Sequence, residues 1–242
     1  MQSNPTILIA VVCGFLAILL GMVALVIYSA RKSNAQYAQV AQALGFKPLE
    51  NTDELYQKVA FVRDFRADDE HHLTQAFCHT HAFGVKTCMY NLSFRSHSRT
   101  GSGSGRKSIY QPLESNALAF ISPAWKLPRF QAFPRFSGNG AMTKFANTMA
   151  EKAMDIKHEL IQFPHIPNLD ERYILTTLDL PASQVQPPDG FLRVLASDPN
   201  LNLHMGGDTL TISYVKGRTD GLSVDNMKQL YQIGMALARE LG

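Results

Sequence analysis

The sequence predicts an α+β protein: one N-terminal transmembrane helix followed by a soluble mixed domain of antiparallel hairpins and helices. Three observations carry this expectation. An uncharged apolar run opens the chain, alternating β-branched and aromatic segments recur between Gly-containing turns, and helical periodicities fall among them without strict βαβ alternation.

The run from Ile7 to Tyr28 is 22 residues without a charge, Asn, Gln or Pro. As a helix it spans about 33 Å, enough for a hydrocarbon core of about 30 Å. Fourteen of these residues are Leu, Ile, Val or Phe, and each favours insertion by about 0.3–0.6 kcal/mol near the helix centre. A cleaved signal peptide fits poorly, because Met1 to Thr6 has no Lys or Arg and Tyr28-Ser29-Ala30 is a weak cleavage site. Arg31 and Lys32 follow the run and no basic side chain precedes it. The positive-inside rule therefore predicts the N-terminus outside and the soluble domain in the cytoplasm. The expected division is a transmembrane anchor at 1–30, a juxtamembrane helix at 31–45 and a soluble domain at 46–242, its two halves splitting near 137–160.

Cys13 lies in the span, and Cys78 and Cys88 are too few for a disulfide framework. A domain of this length can bury a core without one, so both thiols are expected to be reduced in that compartment. Apart from Arg31 and Lys32 the chain carries 21 basic and 20 acidic residues. Such a balance offers no basis for binding nucleic acid.

After the anchor, Ser33 to Leu44 places Tyr37, Val40, Ala41 and Leu44 on one helical face, with Gly45 as the stop. Asn51 and Glu54 form a capping box for a short helix through Val62. Strands are expected at Leu73 to His81 and Val85 to Phe94, turned by Ala82-Phe83-Gly84, and at Ala117 to Ser122. Trp125 to Phe136 reads as buried aromatics under a proline-shaped loop. Ala141 to Met154 is expected to be helical, Tyr173 to Leu178 extended, Pro181 to Pro188 a loop, and Gly190 to Ala196 a short helix. Gly206-Gly207-Asp208 signals a hairpin between Leu201 to Met205 and Thr209 to Val215. A final helix is capped by Ser223, with Met227, Leu230, Tyr231, Gly234, Leu237, Ala238 and Leu241 at helical spacing.

The segment most suggestive of chemistry is Glu70-His71-His72, Cys78-His79-Thr80-His81 and Cys88. His79 and His81 alternate on a strand and could grip one metal ion. If Cys78 faces Cys88, however, the pleat puts both thiols on the opposite face from the imidazoles. The spacing matches no zinc signature, and the plainer reading is surface histidines with two packed cysteines. Gly101 to Ser108 imitates a phosphate loop, but Arg106 interrupts the motif and no helix follows, which leaves a flexible loop tip. Around it lie Arg95, Arg99, Arg106 and Lys107 without an acidic neighbour, a set that anionic lipid would attract by about 1 kcal/mol per basic residue near the surface. In the anchor, Ala10, Gly14, Ala17, Gly21 and Ala24 form one stripe of small residues through which a homo-oligomer could pack.

The order of a membrane helix, Ala43-Leu-Gly-Phe46, a hairpin with a polar loop, Leu127-Pro-Arg-Phe130, Phe163-Pro164 with Pro167, and Arg172-Tyr-Ile-Leu175 resembles an uncharacterised bacterial family of single-pass membrane-anchored proteins. The resemblance implies a bacterial inner membrane and assigns no functional residue. No segment carries a catalytic or cofactor signature, so no cofactor is expected. The expected function is a membrane-anchored, non-catalytic binding or scaffolding protein with the lipid bilayer as the partner of residues 7–28. The alternatives are a metal-dependent or thiol enzyme using the His/Cys hairpin and a sensor of anionic lipid surfaces using the basic loop.

Overall fold

The computed structural model describes residues 34–65, 71–81, 84–98, 107–138, 140–155, 158–215 and 223–242, the backbone alone at 94–98 and 107–115, and the single positions 21, 22, 25, 28 and 32. Its centre is an antiparallel sheet whose strands in chain order are β1 (Lys47–Pro48), β2 (His71–Thr80), β3 (Lys86–Ser98), β4 (Lys107–Ile121), β5 (Leu127–Pro134), β6 (Glu159–Ile161), β7 (Tyr173–Thr177), β8 (Leu201–Gly207) and β9 (Thr209–Tyr214). In space they run β1-β2-β3-β4-β9-β8-β5-β7-β6. The helices are α1 (34–43), α2 (Asp53–Arg63), α3 (Ala141–Asp155), α4 (Leu169–Arg172), α5 (Asp189–Ser197) and α6 (Val224–Glu240). The α+β expectation with antiparallel hairpins therefore holds for the described chain.

Two adjacent rows of paired residues cross all nine strands. One runs Pro48, Phe77, Met89, Leu118, Ile212, Leu203, Ala132, Leu175 and Ile161, apolar from end to end. Because side chains alternate across a strand, the next row points to the opposite face. It runs Lys47, Cys78, Cys88, Ala119, Thr211, His204, Gln131, Thr176 and Leu160. Helices α1, α5 and α6 bury Tyr37, Val40, Leu192, Leu195, Leu230 and Leu237 against the apolar row in one large cluster. On the opposite face Leu55 and Val59 of α2 pack with Cys88, Tyr90, Ala117, Ala119 and Ile121.

Local chemistry explains the element ends. Gly45 adopts φ +79°, and the Phe46 and Gly45 N–H groups donate to the carbonyls of Ala41 and Gln42, each at 2.9 Å, so α1 stops where its sequence predicts. Ser223 Oγ accepts from the Asn226 N–H at 3.1 Å and caps α6. The expected capping box is shifted: Asn51 Oδ1 accepts from the Asp53 N–H at 2.8 Å and Thr52 occupies the cap position. Helix α2 is tied to the sheet by polar stitches. Lys58 pairs with Asp208 in the β8–β9 turn, and Arg129 reaches Asp64 at 2.8 Å and Asp179 at 3.0 Å while lying 4.9 Å over the Phe61 ring.

Three expectations need correction. The stretch read as a proline-shaped loop contains β5, an interior strand between β8 and β7; its two prolines mask it, one at the register shift between Leu127 and Phe130 and the other at the strand's last residue. The strands read as ending near Phe94 and beginning at Ala117 are longer, β3 continuing to Ser98 and β4 beginning at Lys107. Arg95 and Lys107 thus lie in a two-stranded arm rather than in a loop, while Arg99 and Arg106 lie outside the described residues. Among the described residues no helix is long and apolar enough to cross a membrane. The segment 7–28 falls outside them except for Gly21, Met22, Leu25 and Tyr28, all helical and exposed; Ala10, Gly14, Ala17 and Ala24 are outside.

Gly234 is where α6 comes closest to the sheet. A Cβ there would overlap the Phe120 ring and meet Ile212 Cδ1 at 2.8 Å, both on fully buried side chains that cannot withdraw. Gly234→Ala should therefore cost about 1–3 kcal/mol through overpacking despite the better helix propensity of Ala. A lowered urea midpoint beside an unchanged one for the exposed Gln232→Ala is the expected result.

Candidate functional site

The His/Cys hairpin folds as the pleat requires. Cys78 and Cys88 are register partners on the α2 face, their Cα atoms 4.1 Å apart, and they form a disulfide. The expectation of two reduced thiols is thereby corrected, for a reason the spacing alone leaves open: the turn around Gly84 sets a register that puts them directly opposite each other. His79 and His81 project on the other face, ring centroids 4.7 Å apart. His81 Nε2 lies 3.1 Å from Thr87 Oγ1 and 3.2 Å from the Tyr231 hydroxyl. Burial, and then the neighbouring His79, lower the His81 pKa. The nearest polar groups are thus hydroxyls and not further zinc donors. Among the described residues no group of three His, Cys, Asp or Glu side chains is placed to hold a metal ion.

The row on the α2 face buries polar side chains in the middle of the sheet. Thr211, His204, Gln131 and Thr176 are each at most 5 % exposed. Gln131 Nε2 donates to the Val62 carbonyl at 3.1 Å, and Thr211 Oγ1 to the His204 carbonyl at 3.3 Å. The His204 ring meets Phe133 edge-on at 5.3 Å. Burial, reinforced by the positive charge of Arg63, pushes the His204 pKa well below its ordinary value, so the ring stays neutral.

Among the described residues an open concavity lies elsewhere, beside the β6 edge. Two adjoining depressions of about 450 and 500 Å³ share His165. The first has a floor of Ile161, Phe163, Val185 and Leu192, all buried, and a rim of Ser183, Gln186 and Asp189. Arg193 and Ser197 of α5 line the second, beyond His165. The walls are held from below. Both carboxylate oxygens of Asp170 accept from the Phe163 N–H at 3.0 Å, and Arg172 Nη1 donates to the Ala196 carbonyl at 2.6 Å, tying α4 to α5. Pro187 and Pro188 lead into α5, and the Glu240 carboxylate of α6 rests on Gly190 in its first turn, where any Cβ would displace it. A carboxylate there complements the positive end of α5.

His165 Nε2 contacts Asp189 Oδ1 at 3.1 Å on the open surface. The Ser197 hydroxyl donates to its own helix, to the Val194 carbonyl at 2.6 Å, and so is not aimed at the imidazole. The arrangement is an apolar trough with a polar, partly charged rim, suited to holding a ligand. Sequence reading missed it because its residues come from Ile161 to Pro167, Ala182 to Asp189 and α5, which no single motif joins. The signal present was punctuation: Pro164, Pro167, Pro187 and Pro188 stiffen two loops around isolated apolar residues. No family model matches this chain, and neither a curated protein nor a solved structure matches it.

His204 yields a pH dependence. Its folded pKa is depressed, so the unfolded chain binds a proton that the folded chain refuses. The stability it contributes is complete above about pH 6.5 and is lost as pH falls from there toward the folded value. Urea midpoints of the parent should therefore decline between about pH 6.5 and 5 more steeply than those of His204→Gln, which has no titrating ring. Parallel profiles would show that His204 is protonated in the fold.

Proposed function

We propose that this chain is a single-pass membrane-anchored, non-catalytic binding protein whose domain holds a short apolar stretch of a protein partner in the cleft around His165. The observation that carries the reading is the cleft's composition. Ile161, Phe163, Val185 and Leu192 form a buried apolar floor between a histidine loop, a proline loop and α5, and Ser183, Gln186, Asp189 and Arg193 surround it. Apolar burial would supply affinity and the rim would set orientation. The anchor is the 22-residue run from Ile7 to Tyr28.

Arg31 and Lys32 support a cytoplasmic domain in a bacterial inner membrane, with the N-terminus outside. The Cys78–Cys88 disulfide weighs toward the oxidising side, since cytosolic thiols are kept reduced. The redox state of this pair in cells therefore reports orientation. In a chain carrying Cys13→Ala, maleimide modification without prior reduction marks a cytoplasmic domain, and modification only after reduction marks the opposite topology.

The binding reading is tested in the full chain in native membranes with a photo-crosslinking side chain at Gln186, on the rim, or at Lys228, exposed on α6. A discrete crosslinked species from Gln186 that is absent from Lys228 and weakened at least several-fold by Arg193→Glu is the expected outcome. Equal products from both positions, or none from Gln186, would overturn it. Retention of the chain through alkaline carbonate extraction is expected of the anchor, and release would remove that part of the proposal.

A further inference from the structure

Helix α3 differs from its neighbours in one respect: it buries none of its residues. It spans 15 residues, about 22 Å. The half turned toward the protein is held by polar ties. Asn147 receives the Phe136 N–H at 2.8 Å and donates to the Phe136 carbonyl at 3.1 Å, while Glu151 pairs with Arg135. The other half exposes Met142 (81 %), Phe145 (63 %) and Met149 (50 %). Positions 142, 145 and 149 fall within about 60° of arc at 100° per residue, a continuous apolar stripe. Single exposed apolar residues are ordinary, but three large ones on one helical face mark a contact surface.

We propose that this stripe docks on the headgroup and acyl boundary of the bilayer, with α3 lying in the interface as an amphipathic helix. The inference rests on the anchor reading above. The anchor holds a bilayer beside the domain, and a sheet lying along it would bring to its surface both α1, which packs on β2, and α3, which packs on β6 at the far edge. Tyr37 is fixed in the domain core nine residues after Tyr28, a length of chain that reaches at most about 32 Å even fully extended, and the described positions at 21, 22, 25, 28 and 32 are helical. No long linker separates anchor from domain, so part of the domain surface must rest near the headgroups. Charge fits the same occupant. Lys152 is exposed about 20° round the helix from Phe145, at the border of the stripe, where its stem can lie over lipid while the ammonium meets phosphate; Lys144 and Asp155 lie farther round the same flank. The acidic Glu151 on the inner side is occupied by Arg135.

The test uses the full chain carrying Cys13→Ala, reconstituted in vesicles of phosphatidylcholine with a minority of phosphatidylglycerol. An environment-sensitive probe is attached through Phe145→Cys or, as control, Gln186→Cys, with the native disulfide kept closed. Both positions are exposed, so labelling does not disturb the core. A quencher carried on the lipid tails should reduce emission at 145 several-fold more than at 186, and Lys144→Glu with Lys152→Glu should diminish that difference. Equal quenching at the two positions, or none at 145, overturns the inference. Disulfide dimers through Phe145→Cys without lipid quenching overturn it in favour of a second copy of the chain. Carbonate extraction separates the two readings: retention without quenching at 145 removes only the α3 inference, whereas quenching in vesicles followed by release in carbonate leaves α3 docking and removes the anchor.

Discussion

The structure depends on the pairing of β4 with β9, through which the β1 to β4 meander and the β5 to β9 half become one sheet. Only Leu118 to Ile121 and Thr209 to Ile212 make this join. Its register aligns Leu118 with Ile212 and so extends the apolar row without a break from Phe77 to Ile161. A slip of β9 by one residue would set Thr211 opposite Leu118 and turn Ile212 and Leu210 out of their cluster. Gly234 belongs to the same constraint. The helix can settle on Phe120 because it offers no side chain at the point of closest approach.

The opposite face meets a different requirement, because its central row is polar and buried. Burying Thr211, His204, Gln131 and Thr176 costs free energy that hydrogen bonds offset for Gln131 and Thr211, whereas Thr176 Oγ1 and His204 Nδ1 are buried without a hydrogen-bond partner among the described residues. Gln131 meets the C-terminal carbonyls of α2, His204 remains neutral, and α2 is clamped over the row by Lys58 with Asp208 and by Arg129 with two aspartates. Desolvation would raise the Asp208 pKa, but its hydrogen bonds from Lys58 and Thr209 outweigh that effect and hold the carboxyl below its ordinary range. Helix α2 is thus placed by polar pairing at its middle and C-terminal end and by apolar packing of Leu55 and Val59, and the two agree on one position.

Two surfaces remain outside this economy of burial, and they carry the functional proposals. The cleft around His165 and the stripe on α3 lie on either side of the β6 region: β6 contributes Ile161 to the cleft and contacts α3. With a core-bound α1 close behind the proposed anchor, the domain would be held at the bilayer by two elements, its cleft presented at a fixed height. A tether of that kind suits a protein that captures a partner at a membrane surface, because orientation is settled before encounter.

The sequence by itself determined the local elements. Periodicity, Gly45 and Ser223 were enough for α1 and α6, and alternation with Gly-containing turns was enough for the β2–β3 and β8–β9 hairpins. It also determined that Cys78 and His79 face opposite ways, since a strand alternates whatever surrounds it. What it left to tertiary structure were the features whose partners are distant in the chain. Strand β5 was hidden because Pro128 and Pro134 read as breakers until β7 and β8 are placed on either side of them. The Cys78–Cys88 bond required a register, and the His165 cleft required three segments to converge. Short-range periodicity reports how one residue relates to the next few, whereas a site assembled from separate loops exists only after the sheet has ordered them.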